Sequence, residues 1–137
     1  MSWGIEFTSA KFLPTLPEDC QANPGVYGFE LALWLAQGLS RHGIVTGYPS
    51  SEDWGWYLDY TPSDEVRLTI DCGSQCTAAA GYDGKPVGWS LFIREHRSLI
   101  QRVRNHASDE MLQALDALGQ RIVDLLQEEQ IATVRVM

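Results

Sequence analysis

The chain has 137 residues, 45% of them apolar and 20% charged, with 10 lysines and arginines against 18 acids and a net charge of −8. That length suits one domain, residues 1–137, able to bury most of its apolar surface, and that composition excludes a disordered chain. The charge works against sequence-blind binding to nucleic acid and suits a basic protein partner, and no window comes near the ~18 unbroken apolar residues of a membrane span.

The opening, MSWGIEFTSAKF, lacks the apolar run of a secretory signal, so the expected place is the cytoplasm. Within it Trp3, Ile5 and Phe7 alternate with Gly4, Glu6 and Thr8, which predicts a first strand. Pro14, Pro17 and Pro24 punctuate a loop, and Asn23-Pro24-Gly25 marks its turn. A helix follows over Val26–His42, with Tyr27, Leu31, Trp34, Leu35 and Leu39 on one face and Gly43 as its C-terminal cap. Gly28 and Gly38 cost this helix about 1 kcal/mol each relative to alanine, which a close approach to a sheet would explain.

Ile44-Val45-Thr46 is expected to begin a second strand, interrupted by Gly47 and Pro49. The stretch SEDWGWYLDY then puts Trp54, Trp56, Leu58 and Tyr60 on alternate positions, a strand over Asp53–Tyr60 with one face buried. Across a turn at Thr61-Pro62-Ser63-Asp64, Val66, Leu68, Ile70 and Cys72 alternate with Arg67, Thr69 and Asp71, and the short connection predicts an antiparallel hairpin. Thr77–Ala80 carries no clear pattern, and Tyr82–Pro86 is a turn. Val87, Trp89, Leu91 and Ile93 give another strand, on whose far face Phe92 implies partial cover.

Past a connector from His96 to His106, Ser108 is the expected N-cap of a long helix, with Asp109 and Glu110 in its first turn. Met111, Leu115, Leu118, Ile122 and Leu125 form its apolar stripe, and Ala132, Val134 and Val136 suggest a closing strand. The sum is an α+β fold: a largely antiparallel sheet of about five or six strands, with two amphipathic helices packed on one face. The other face is then left partly open as a binding surface.

The chemistry-bearing patterns are sparse. Cys72 and Cys76 form a lone C-x3-C pair, short of the four ligands of a structural zinc site, and Cys72 points inward, so no metal is expected. No G-x-S-x-G elbow, GxGxxG or Walker pattern occurs, which leaves no catalytic residue or cofactor to name. Glu52 and Asp53 could act with Glu30 or Asp59 as a carboxylate pair beside Trp54 and Trp56, the arrangement of a carbohydrate site or hydrolase. Its pocket would lie between the Val26–His42 helix and the tryptophan strand. Five tryptophans are as readily core and sheet packing. Arg94, Arg97, Arg102 and Arg104 reverse the charge locally, either to hold a phosphate or an acidic partner segment or to pair with nearby acids.

Phe12-Leu13-Pro14, then N-P-G-V-Y-G-F-E-L-A-L-W-L-A, then S-E-D-W-G-W-Y-L, resemble a group of small bacterial domains of unknown function. Some compact acidic members of that kind resemble immunity proteins that neutralise toxins. The resemblance covers roughly residues 12–60 and implies a bacterial interaction protein without assigning any residue a role. The expected function is therefore a binding domain with an acidic rim, Glu52, Asp53, Asp59, Asp64 and Asp71, facing a basic toxin or enzyme. A carbohydrate-type pocket and a homodimer built on the open sheet face are the alternatives.

Overall fold

The structure, a computed structural model, describes residues 3–15, 20–21, 26–75, 86–96 and 109–137. The elements in chain order are β1 (Trp3–Ser9), α1 (Phe29–Ser40), β2 (Ser50–Glu52), β3 (Gly55–Ser63), β4 (Val66–Ser74), β5 (Val87–Glu95), α2 (Asp109–Glu128) and β6 (Val134–Arg135). All six strands form one sheet in the order β2-β3-β4-β5-β1-β6, and each neighbouring pair is antiparallel. Both helices pack on one face of it, as the apolar alternation requires.

That alternation sorts the side chains. Ile5 and Phe7, Trp56 and Leu58, Leu68, Ile70 and Cys72, and Trp89 and Leu91 all enter the single core beneath the helices. The α2 stripe of Met111, Leu115, Leu118, Ile122 and Leu125 is buried throughout, and each such side chain contributes about 1.5–3 kcal/mol by leaving water. The Trp3 indole lies against Gly119 of α2, where any side chain would collide with it. Gly38 of α1 faces Leu125, so that glycine admits the other helix rather than the sheet.

Three boundaries differ from expectation. First, α1 begins at Phe29 instead of Val26, because Gly28 sits at φ +152° and Tyr27 donates its N–H to Ser74 Oγ, at 3.1 Å, on β4. Its end is as expected: Ile44 N–H bonds Leu39 O and Gly43 N–H bonds Ser40 O, with glycine at the turning position. Second, Ile44–Thr46 forms no strand. Ile44 packs against the core, Gly47 just beyond donates its N–H to Asp59 O, and the edge strand forms later, at Ser50–Glu52. Third, β3 starts at Gly55, since Asp53-Trp54 is the two-residue turn of the β2–β3 hairpin, in which Glu52 faces Gly55. The β3–β4 hairpin forms as predicted, with a register shift between Tyr60 and Ser63. The Asn23-Pro24-Gly25 turn, the Thr77–Ala80 segment, Cys76 and Ser108 lie outside the described residues.

Candidate functional site: the open face of the sheet

Residues that alternate away from the core line the face that no described helix covers. Their register forms two rows across the sheet. One is Glu52, Gly55, Gly73, Ser90, Glu6 and Val134; the next is Tyr57, Asp71, Phe92 and Gly4. Two glycines and a serine leave the middle of the first row low, and Tyr57, Asp71 and Phe92 stand beside it as a wall. The Phe92 ring leans over Gly4, so its face is partly covered as the sequence implied.

Trp54 leaves the pattern of its strand at the turn before Gly55. It is 44% exposed and roofs a hollow of about 300 Å³, whose lining includes Asp71, Gly73, Ser90 and Phe92. The guanidinium of Arg94 lies 6.0 Å from the centre of its ring and also donates two hydrogen bonds to Asp71. A second hollow of about 300 Å³, with Glu6, Thr8, Gln75 and Val134 in its lining, continues the low row towards β6. Between the two lies the Gln75 side chain, set over Gly88 and donating from Nε2 to Ser90 Oγ at 3.3 Å.

Beside this trough runs a polar chain. Thr69 Oγ1 lies 2.5 Å from His96 Nε2 and donates to Asp59 Oδ1 at 3.2 Å. The hydroxyl has one proton, so with Asp59 as its acceptor the imidazole Nε2–H must donate to Thr69. Thr69 is buried and its oxygen is occupied on both sides, which makes it a positioning residue for Asp59 and His96 rather than a nucleophile. Burial holds His96 below the usual imidazole range, and the charges of Arg67 and Arg94 push in the same direction. Asp71 is pushed up by burial against the lowering effect of Arg94, while Arg94 is itself pushed up by the carboxylate it bonds. The two shifts assign opposite signs to one ion pair. Burial falls on Asp71, whose side chain is 13% exposed against 51% for Arg94, so the carboxylate bears the cost.

The sequence-nominated residues separate across the sheet. Trp56 lies in the core against Phe29, with ring centres 5.1 Å apart, whereas Trp54 is on the opposite side; the two rings share no pocket. Glu52 and Asp53 are exposed at the β2–β3 turn, Asp64 is exposed at the β3–β4 turn, and Asp59 is half-buried beside Thr69. Glu30 belongs to α1 and accepts from Thr15 N and Oγ1 at 3.0 and 3.2 Å, so it does not face Glu52. Among the described residues no three His, Cys, Asp or Glu side chains converge, and the Cys72 thiol is buried and pushed far up by desolvation. Of the arginine run, Arg94 pairs with an acid; Arg97, Arg102 and Arg104 lie outside the described residues. Missed from the sequence were Phe92, Ser90 and Thr69 as site residues. Their outward positions were legible, but which strands would stand side by side was not.

A larger hollow, about 540 Å³, lies between α1 and residues 45–49 and includes exposed Val45 and Tyr48. Among the described residues its only charged lining side chain is Arg41, so its volume is matched by little chemistry and the open face is the better site. Among the described residues no helix is long and apolar enough to cross a membrane. No family model, no curated protein and no solved structure matches this chain.

Proposed function

We propose that the protein is a non-enzymatic binding domain of the bacterial cytoplasm, an immunity-type inhibitor whose open sheet face meets a basic toxin or enzyme. The observation that carries this reading is the exposed Trp54 on the face that no described helix covers, with Glu52 and Asp53 just before it in the chain and Asp71 in the hollow beneath it. An aromatic anchor with exposed acids beside it suits a protein-binding surface, through burial of the ring for affinity and the field for fast, oriented encounter, Arg94 being paired with Asp71. The net charge of −8 extends that field beyond the face itself.

The test is interferometry of the immobilised chain against basic proteins encoded beside it, each at low and high salt. Association should be fast and fall steeply as salt rises, and Glu52→Lys with Asp53→Lys should slow it further. Binding indifferent to both changes, or no binding to any such protein, overturns the proposal. The small-molecule alternative retains one supporting feature, the hollow beneath Trp54. With Trp56 in the core, a ligand there would stack on a single indole.

A further inference from the structure

The low row on the open face begins with a carboxylate, Glu52 on β2, and carries another, Glu6 on β1, one strand short of its far end, with a third, Asp71, in its wall. Asp71 and Glu6 are two strands and two residues apart, about 12 Å between backbones at ordinary sheet spacings. Among the described residues neither Glu52 nor Glu6 has an ion-pair partner within 4.0 Å. The trough also already holds one cation: Arg94 lies over the Trp54 ring while bonding Asp71, and it feels Glu52 and Asp59 as well. Asp71 is the carboxylate that bonds this guanidinium, and Glu52 and Asp59 add their field from farther off. The wall already seats one planar cation, which bonds both oxygens of Asp71, while Glu52 and Glu6 keep their charge without an ion-pair partner among the described residues.

From this geometry we infer that the trough receives an extended segment of the basic partner carrying two arginine-type side chains four residues apart. One lies along Trp54 between Asp71 and Glu52, and the other reaches Glu6. Residues i and i+4 of an extended chain point the same way and are about 13 Å apart, which matches the Asp71–Glu6 interval. The floor of Gly55 and Gly73 lets the segment approach the sheet, and the Gln75 side chain, set over Gly88 and bonded to Ser90, swings aside for the segment to reach Glu6. This inference rests on the reading of the open face as a protein-binding surface.

The test titrates the peptide acetyl-Arg-Ser-Gly-Ser-Arg-amide into isotopically labelled protein and follows the five tryptophan indole resonances. The Trp54 signal should move and those of Trp3, Trp56 and Trp89 should stay. The peptide should bind at least about threefold more tightly than one with a single arginine, and Glu6→Gln should remove that advantage. Replacing both arginines by neutral, isosteric citrulline should abolish the shift. A Cβ on Gly73 would come within 4 Å of Trp54 O alone, at 3.5 Å, so Gly73→Val fills the trough from a position that tolerates a side chain. It should block the peptide while leaving the urea midpoint near that of the parent. Equal binding of the citrulline peptide, or indifference to both Glu6→Gln and Gly73→Val, overturns the trough. If a basic protein still binds with salt dependence while these substitutions do nothing, the trough alone fails; if no basic protein binds, both proposals fail.

Discussion

Arg94 grips Asp71 across a diagonal of the sheet, Nε to Oδ2 at 2.5 Å and Nη2 to Oδ1 at 3.0 Å, although their register partners are Thr69 and Phe92. Burial raises Asp71 above its ordinary value of 3.8, so the stability tied to its protonated form is fully present below that value. It is lost as pH climbs through the raised one. Arg94→Met removes the guanidinium that opposes the shift. It should cost about 1–3 kcal/mol at pH 7, the penalty of a half-buried charge left alone, and much less in acid where Asp71 is protonated. Urea unfolding at the two pH values measures this, and adding Asp71→Asn should restore most of the loss. An equal loss at both pH values would show that the pair is not the source.

Trp54 and Trp56 are two residues apart and should behave as unrelated positions. Trp56→Ala empties a core site against Phe29 and should cost about 3–5 kcal/mol. Trp54→Ala removes a half-exposed ring and should stay within about 1 kcal/mol of the parent while weakening partner binding. Denaturation midpoints and binding curves for the pair separate the two roles; similar midpoints would contradict the opposed placement.

This pair also marks where the sequence stops being legible. In β1, β4, β5 and α2, long runs of one period left a single way to bury the apolar side, and each formed where its pattern indicated. Trp54 fitted its strand's period just as well, yet a two-residue turn ended the strand at Gly55 and sent the ring to the other face. Gly28 shortened α1 for a similar reason, a backbone conformation that periodicity cannot register. The open face could be foreseen as outward positions of single strands. The trough could not, because it depends on β1 lying beside β5, whose outermost pairs, Trp3 with Ile93 and Ser9 with Val87, join distant parts of the chain.

One carbonyl constrains both of those glycines. At Gly28 and at Gly55, with φ of +152° and +157°, a Cβ would lie 2.6 Å from the carbonyl oxygen of Cys72. The approach to α1 and the start of β3 thus meet at one point of β4. Alanine at either position would combine backbone strain with a clash against main chain, at about 3 kcal/mol or more. Each variant is checked by urea unfolding, and a cost below about 1 kcal/mol would refute the close approach.

His96 should titrate below 6.5, since burial and the arginines Arg67 and Arg94 disfavour its charged form. With the folded value depressed, the unfolded chain takes up the proton first. Stability is therefore lost as pH falls below 6.5, and the loss levels off below the folded value. His96→Gln should flatten that segment of the stability curve, and NMR titration of the imidazole gives the folded value directly. A folded value above 6.5 would reverse the sign and contradict the environment drawn for this ring.

The end of α2 is closed by Gln130 in the left-handed region, at φ +61°. Ile131 N–H bonds Leu126 O at 3.0 Å and Gln130 N–H bonds Gln127 O at 2.9 Å, while the Ile131 side chain tucks into the core. This is the same closing pattern that Gly43 completes for α1, but with a side chain where glycine is favoured. The left-handed conformation costs an ordinary residue about 1–2 kcal/mol, and glycine avoids that cost at the expense of greater freedom when unfolded. Gln130 is exposed and its side chain adds little burial, so Gln130→Gly should raise stability by about 0.5–1 kcal/mol. The gain should appear as a higher urea midpoint with an unchanged slope. Destabilisation instead would mean that Gln130 is not held in that conformation.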